Sequence, residues 1–234
     1  MTNKNFMNNI IISPRLVAVS QMISHSKVAD IGTDHGKLLI YLAQKNCLIF
    51  GIGSDINEGP AESCRQNILK YGLRDKIEIR VGDGLKTIES GEVDSIVIAG
   101  MGGELILKIL EENLQIAKSV SEIILQPMTN ISKLLAGLNK LNFKISDACL
   151  AEEKDKLYQI FRIQDGVENF DRPIDLIISP LYKQNNDPLL SKLLNREILK
   201  TKNKLDGLKK SANVDECEIS STKKLLEELE NYEN

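Results

Sequence analysis

Tryptophan is missing from the 234 residues, aromatic side chains make up 4% of them, and the only histidines are His25 and His35. So few rings leave little with which to stack a planar ligand, and two scattered imidazoles make a histidine-based metal cluster unexpected. The four cysteines, Cys47, Cys64, Cys149 and Cys217, are far apart and form no C-x-x-C. Neither a zinc site nor a disulfide framework is expected from that spacing. An excess of positive charge is also absent, since the formal net charge is -3 with 27% charged residues. Any nucleic-acid partner must therefore be met by a local patch. No stretch approaches the length of a membrane span, and "MTNKNFMNNIIISPRL" shows neither the charged start nor the cleavage site of a signal peptide. The expectation is a cytoplasmic protein with no membrane association, no metal and no evident obligate protein partner.

What is present is enough apolar residue, 42%, for a proper core. Five β-rich runs stand out: "KVADIG" at 27–32, "LIFGIGSDI" at 48–56, "KIEIRVGD" at 76–83, "VDSIVIAGM" at 93–101 and "SEIILQPM" at 121–128. Between them, residues 37–46, 59–72, 103–118 and 131–142 carry helical periodicity. Alternation of this kind predicts βαβ units and a parallel sheet. After Asn142, "FKISDACLAEE" and "KLYQIFRIQDG" follow one another without room for a crossover helix, which predicts an antiparallel hairpin. The predicted fold class is α/β, a Rossmann-like doubly wound sheet ending in an antiparallel β-hairpin. That order suits class I methyltransferases better than dinucleotide dehydrogenases, which continue with further βα units.

Composition shifts near Asp171, so residues 1–170 are expected to form one domain and 171–234 a linker and appendage. "RPIDLIISPLYKQNNDP" reads as a linker whose three prolines dampen regular structure. Beyond it, Leu190, Leu194, Ile198, Leu205 and Leu208, then Leu225, Leu226 and Leu229, recur at near-helical spacing. Two helices parted near "SANVDE" would pair as a coiled-coil-like helical hairpin. Lys192, Arg196, Lys200, Lys202 and Lys204 make the first helix basic, whereas the second is rich in acids. Such a helix can supply phosphate contacts, or its charge can be neutralised by the acidic helix beside it.

Candidate chemistry gathers at the strand ends. Asp30, Gly32, Thr33, Asp34, His35 and Gly36 occupy the first turn, where glycines let backbone approach a ligand closely. Asp55 ends the second strand, placed to accept ribose hydroxyls, and Ile56 and Asn57 follow it. Gly82, Asp83 and Gly84 end the third strand, where Asp83 can take an exocyclic amine. Ala99, Gly100, Met101 and Gly102 end the fourth. Two carboxylates in the first turn would repel a pyrophosphate. S-adenosylmethionine has no phosphate and carries an ammonium and a sulfonium, so the acidic turn favours it over NAD. Asp34 also suits a helix N-cap, and His35 suits a backbone-bonding role better than general-base chemistry.

Taken in order from about Arg15 through Gly166, "RLVAVSQMI…VADIGTDHGKL", "SDINEGP", "GDGL", "IAGMGGELI" and "LQPM" resemble the bacterial tRNA (adenine-22-N1)-methyltransferase family. The helical extension is similar to that family's as well. The resemblance implies methyl transfer from S-adenosylmethionine to N1 of adenine 22 in tRNA. It implies Asp30, Gly32, Asp34 and Gly36 around the methionine portion, Asp55 at the ribose and Asp83 at the cofactor's adenine. Ala99, Gly100, Met101 and Gly102 would lie between cofactor and target base, the last three acting catalytically through positioning. Arg15, Glu58, Tyr158 and the cations of the basic helix are the candidate tRNA contacts. The chain departs from the N-P-P-[YF] motif of many amino-directed nucleic-acid methyltransferases, which disfavours an exocyclic amine as target. Another RNA base or a small molecule as acceptor, NAD-dependent oxidoreduction and a non-catalytic RNA-binding module remain open at this point.

Overall fold

The computed structural model describes residues 9–167, 170, 172–210 and 216–232. It divides into two compact units, Met1–Glu168 and Asn169–Asn234.

The apolar runs become β1 (Lys27–Ile31), β2 (Phe50–Asp55), β3 (Ile77–Val81), β4 (Ser95–Gly102) and β5 (Glu122–Thr129). Val28, Ala29, Ile96, Val97 and Ile124 are fully buried because both faces of the central strands are covered, which is why these stretches read as continuous rather than alternating. The helices between them are α2 (Lys37–Gln44), α3 (Glu58–Lys70), α4 (Gly103–Glu112), α5 (Leu114–Ser119) and α6 (Ile131–Lys140), with a 3-10 turn at Gly84–Thr87. β6 (Phe143–Glu153) and β7 (Lys156–Asp165) form the hairpin, in register from Phe143 opposite Asp165 to Glu153 opposite Lys156. At its tip Lys154 and Asp155 both take positive φ, the backbone that a two-residue hairpin turn requires.

The sheet has the order β3-β2-β1-β4-β5-β7-β6. β1 to β5 are parallel, and β7 runs antiparallel to both β5 and β6. This is the Rossmann-like arrangement of class I methyltransferases. Because β6 points the same way as β5, the hairpin tip lies at the edge where the five parallel strands end.

Two local expectations change, and one helix is added. Residues 103–118 form two helices rather than one. Asn113 leaves the helical path at φ -132°, and its side-chain amide donates to the Ile109 carbonyl that the next turn would have used. The stretch before β1 is helical: α1 (Pro14–Gln21) starts at Ser13, whose hydroxyl accepts from the Leu16 N–H, and Pro14 occupies the first turn. The supposed linker is ordered into a 3-10 turn at Pro173–Leu176 and α7 (Pro180–Gln184). Pro173 and Pro180 start these turns instead of suppressing them, and Tyr182 within α7 is fully buried.

In the second unit, α8 (Leu190–Lys210) and α9 (Glu216–Glu230) pack together; Leu193, Leu194, Thr201 and Leu205 are buried on the first and Thr222 and Leu229 on the second. Most of the "SANVDE" break, and Asp171 at the expected domain boundary, lie outside the described residues. No described helix is long and apolar enough to cross a membrane.

Gly103 opens α4 against the β5–α6 connection, and a Cβ there would come within 2.7 Å of the Asn130 carbonyl oxygen and 2.8 Å of that of Thr129. Backbone must move to admit it, so Gly103→Ala should lower unfolding stability by about 1–3 kcal/mol. Urea denaturation of the two proteins measures the difference.

Candidate cofactor and base site

Four strand ends form one acidic shelf. At the first, β1 carries Asp30, 7% exposed. Burial pushes its carboxyl up to about 6, and the charge of Asp34 adds to the shift; the Thr33 hydroxyl and the Arg15 guanidinium oppose it. The turn beyond is pinned to β2, because the N–H groups of Gly32 and Thr33 both donate to the Ser54 carbonyl, at 2.8 and 3.0 Å. Gly32 and Gly36 have positive φ, as does His35. Gly36 takes the N-cap position of α2, so Asp34 does not cap that helix. Asp34 instead lies 2.8 Å from Lys37 Nζ and 3.4 Å from His35 Nε2, with all three side chains partly exposed. The His35 carbonyl accepts from the Asn67 amide. Under the turn, the Cys64 thiol donates to the Thr33 carbonyl; burial and the nearby Asp30 push it up to about 11.

At the second end, Asp55 Oδ1 accepts from the Asn57 N–H at 2.8 Å, and Ile56 turns 64% of its surface to solvent. Glu58 points away into an ion pair with Arg65. At the third, the Gly82 N–H donates to the Asp55 carbonyl, and Lys86 beside Asp83, at 2.6 Å, holds that carboxyl below its ordinary range. Gly84 has positive φ and packs over Ile109. At the fourth, Ala99 to Gly102 stay within β4, but the pairing slips: Ala99 faces Gln126 and Met101 faces Pro127, leaving Gly100 as an extra residue at φ +81°. Met101 reaches back across the shelf, so a Cβ on Gly32 would meet its terminal methyl at 2.1 Å.

Arg15 and Tyr158 join this edge. The guanidinium lies 5.6 Å over the Tyr158 ring, its Nη1 donates to Gln126 at 2.5 Å, and its Nε is 3.9 Å from Glu153. Arg15 thus has partners within the fold. The remaining predicted contacts all sit on α8, where Arg196, Lys200, Lys202 and Lys204 face acids. Arg196 and Lys200 flank the buried Glu197, Lys202 meets Glu230 at 2.7 Å and Lys204 meets Glu218 at 2.8 Å; Lys192 is exposed on the same helix. Sequence reasoning missed Gln126 and Glu153. An amide inside the otherwise apolar "EIILQP" was the available signal. Two sizeable concavities lie away from the shelf, one of about 660 Å³ among Arg172, Lys183 and Tyr232, the other of about 470 Å³ between α3 and β3.

The family model described as "Methyltransferase domain" matches residues 12–161. A tRNA (adenine(22)-N(1))-methyltransferase of Bacillus subtilis strain 168 is 29% identical over 95% of this chain and 98% of its own length. Among solved structures, a Streptococcus pneumoniae protein, Sp1610, in complex with S-adenosyl-L-methionine is 31% identical, with TM-score 0.81 over 92% of this chain and all of the other. The M. capricolum TrmK structure, in complex with S-adenosyl-homocysteine, is 26% identical with TM-score 0.78 over 94% and 97% of the two chains. The chain belongs to the S-adenosylmethionine-dependent tRNA (adenine-22-N1)-methyltransferase family. For a methyltransferase the shelf's composition makes physical sense. Asp30, Asp34, Asp55 and Asp83 line the strand ends, and the two lysines close to them, Lys37 and Lys86, are already paired with Asp34 and Asp83. That donor set fits a cationic, phosphate-free cofactor and opposes a pyrophosphate, which answers the choice left open between the methyl donor and NAD.

Asp30 also gives a stability signature. Its folded-state value, about 6, exceeds the ordinary 3.8, so the stabilising protonated form is complete below pH 3.8 and is lost as pH rises through 6. At pH 7.5 the buried charge should cost the ligand-free protein up to roughly 3 kcal/mol. Asp30→Asn should therefore be more stable than the parent at pH 7.5, with the gap closing near pH 4. Urea denaturation of ligand-free protein at the two pH values reads this directly.

Proposed function

We propose that this methyltransferase moves a methyl group from S-adenosylmethionine to N1 of adenine 22 in tRNA, in the cytoplasm. The observation that carries the reading is the acidic shelf of Asp30, Asp34, Asp55 and Asp83 lying beside the bulged Ala99–Gly102 edge, in a chain of this family. Asp30 and Asp34 are the partners for the cofactor's ammonium, with Gly32, Thr33, His35 and Gly36 shaping the turn around its methionine portion. Asp55 and Asn57 take the ribose. Ile56 offers the apolar face for adenine, while Gly82 and Gly84 admit the ring beside Asp83. When bound, the cofactor supplies an electrophilic methyl group.

N1 of neutral adenine has an in-plane lone pair, so the protein need not provide a covalent nucleophile; its work is positioning. Gly100, Met101 and Gly102 hold the base against the cofactor. As positive charge grows on the ring, a backbone carbonyl of this edge accepts the N6 hydrogen bond more strongly than before. N1 lies on the pairing edge, so a paired or stacked target must first be turned out, and Tyr158 is the aromatic face available at the rim. Arg15 borders that rim. Lys192, Arg196, Lys200, Lys202 and Lys204 serve the phosphates; Lys202 and Lys204 exchange exposed carboxylate partners for RNA, while Arg196 and Lys200 stay beside the buried Glu197.

The deciding experiment incubates tRNA with protein and labelled S-adenosylmethionine and maps the product. 1-Methyladenosine at position 22 is expected; a different modified nucleoside overturns the target. Asp55→Ala should weaken cofactor binding by tenfold or more, on the order of the 1.5–3 kcal/mol of charge-assisted hydrogen bonding removed. Cofactor affinity of the parent should also fall as pH drops below 6, where Asp30 becomes neutral, and calorimetry at pH 5 and 8 checks this. Neutralising Lys200, Lys202 and Lys204 together should weaken tRNA binding and flatten its salt dependence while leaving cofactor affinity unchanged.

A further inference from the structure

The geometry points to Gln126 and Arg15 as positioning residues for methyl transfer, acting together on the Gly100 bulge. This rests on the methyltransferase reading above and extends it to residues outside the cofactor shelf.

Gln126 is fully buried on β5, yet its side chain has a complete set of partners. Its Oε1 accepts from Arg15 Nη1 at 2.5 Å and from the Gly100 N–H at 3.2 Å. Its Nε2 donates to the Pro127 carbonyl at 3.0 Å and approaches Met128 Sδ at 3.5 Å. Both neighbours of Oε1 are obligate donors, so the amide has one orientation consistent with its surroundings.

The bulge explains why a buried amide is needed there. Gly100 is the residue that drops out of the β4–β5 pairing, and its left-handed φ turns its N–H out of the ladder. Gly100 is itself exposed, so water can also reach its N–H, but the part-buried bond to Gln126 Oε1 at 3.2 Å gives that N–H one fixed direction. Gln126 thereby sets the direction of the Ala99–Gly100 peptide at the bulge, one residue before Met101.

Arg15 fixes Gln126 in turn. Its guanidinium lies over the Tyr158 ring at 5.6 Å and 3.9 Å from Glu153 at the hairpin tip, an electrostatic approach without a hydrogen bond, so the hairpin borders the same amide. It also lies close to Gly100 itself, where an added Cβ would be 3.8 Å from Nη1. A chain of contacts thus runs from the hairpin through Arg15 and Gln126 to the backbone that faces the target base. Misplacing that backbone by an ångström or so would slow the transfer without disturbing the acidic shelf.

The test compares Arg15→Met, Arg15→Lys, Gln126→Met and the Arg15→Met/Gln126→Met double variant in full-length protein. Readouts are kcat and KM with saturating cofactor, the dissociation constant for S-adenosylmethionine, and melting temperature. Arg15→Met and Gln126→Met should each lower kcat tenfold or more with cofactor affinity changed less than twofold. Arg15→Lys should recover part of the loss, and the double variant should be no slower than the slower single one. If Arg15→Met raises only the KM for tRNA, Arg15 holds RNA directly and the inference fails. Multiplicative losses in the double variant would also overturn it, as would kcat losses that merely follow melting temperature. Nucleoside mapping of the parent's product in the same assay separates the two readings. A product other than 1-methyladenosine at position 22 sinks the target assignment, while the kcat pattern still decides the role of Arg15 and Gln126.

Discussion

The carboxylate of Asp30 sits near the end of β1, the strand with two parallel strands to either side of it, and it is buried there with no cation in contact among the described residues. The backbone amides that could have neutralised it are committed elsewhere, since Gly32 and Thr33 donate to Ser54. Much of the local architecture is a response to this charge. The turn is clamped to β2, Cys64 stays a thiol beneath it, and Met101 reaches over Gly32 from β4. A desolvated acid kept unpaired is a poor way to stabilise a fold and a good way to receive a positive ligand.

Sheet direction decides what can stand next to that acid. Five parallel strands end on one edge, so the turns after β1 to β4 meet without any of them being close in sequence. The hairpin adds a sixth point on the same edge, because β7 reverses direction and β6 restores it. Arg15, delivered by α1 packed on β6 and β7, closes the group. The acidic shelf and the Gly100 bulge are therefore two halves of one edge. The first is organised by glycine turns and carboxylates, the second by a side-chain amide that stands in for a missing ladder bond.

Charge in the second unit obeys a different economy. Lys202 and Lys204 are exposed and meet exposed glutamates, whereas Arg196 and Lys200 gather around the buried Glu197. Exposed pairs are worth about 1 kcal/mol or less, so giving up Glu230 or Glu218 for a phosphate costs little. Glu197 has a stricter role, since a buried carboxylate stripped of its cations is expensive. One helix can thus carry cations that hold it together and cations free to change partners.

Residue order alone made the parallel sheet legible, because strands covered on both faces need unbroken apolar runs and the intervening helices need an apolar stripe. The hairpin was legible because two strand-like segments left no room for a crossover. Asp30, Asp55 and Asp83 could be singled out since an acid beside glycine at a strand end has few structural duties. Other features had no local signature. α1 depends on packing against β6 and β7, the break at Asn113 depends on one side-chain hydrogen bond, and Pro173 and Pro180 start turns rather than prevent them. Above all, Gln126 draws its meaning from Gly100 and Arg15, 26 and 111 residues away. The sequence by itself determined which segments are strands and which strand ends carry acid, because burial and backbone turning are local demands on residue type. Only the tertiary structure decided which of those acids are already paired, and that a buried amide joins the hairpin to the bulge, because hydrogen bonds across a sheet depend on register and not on order.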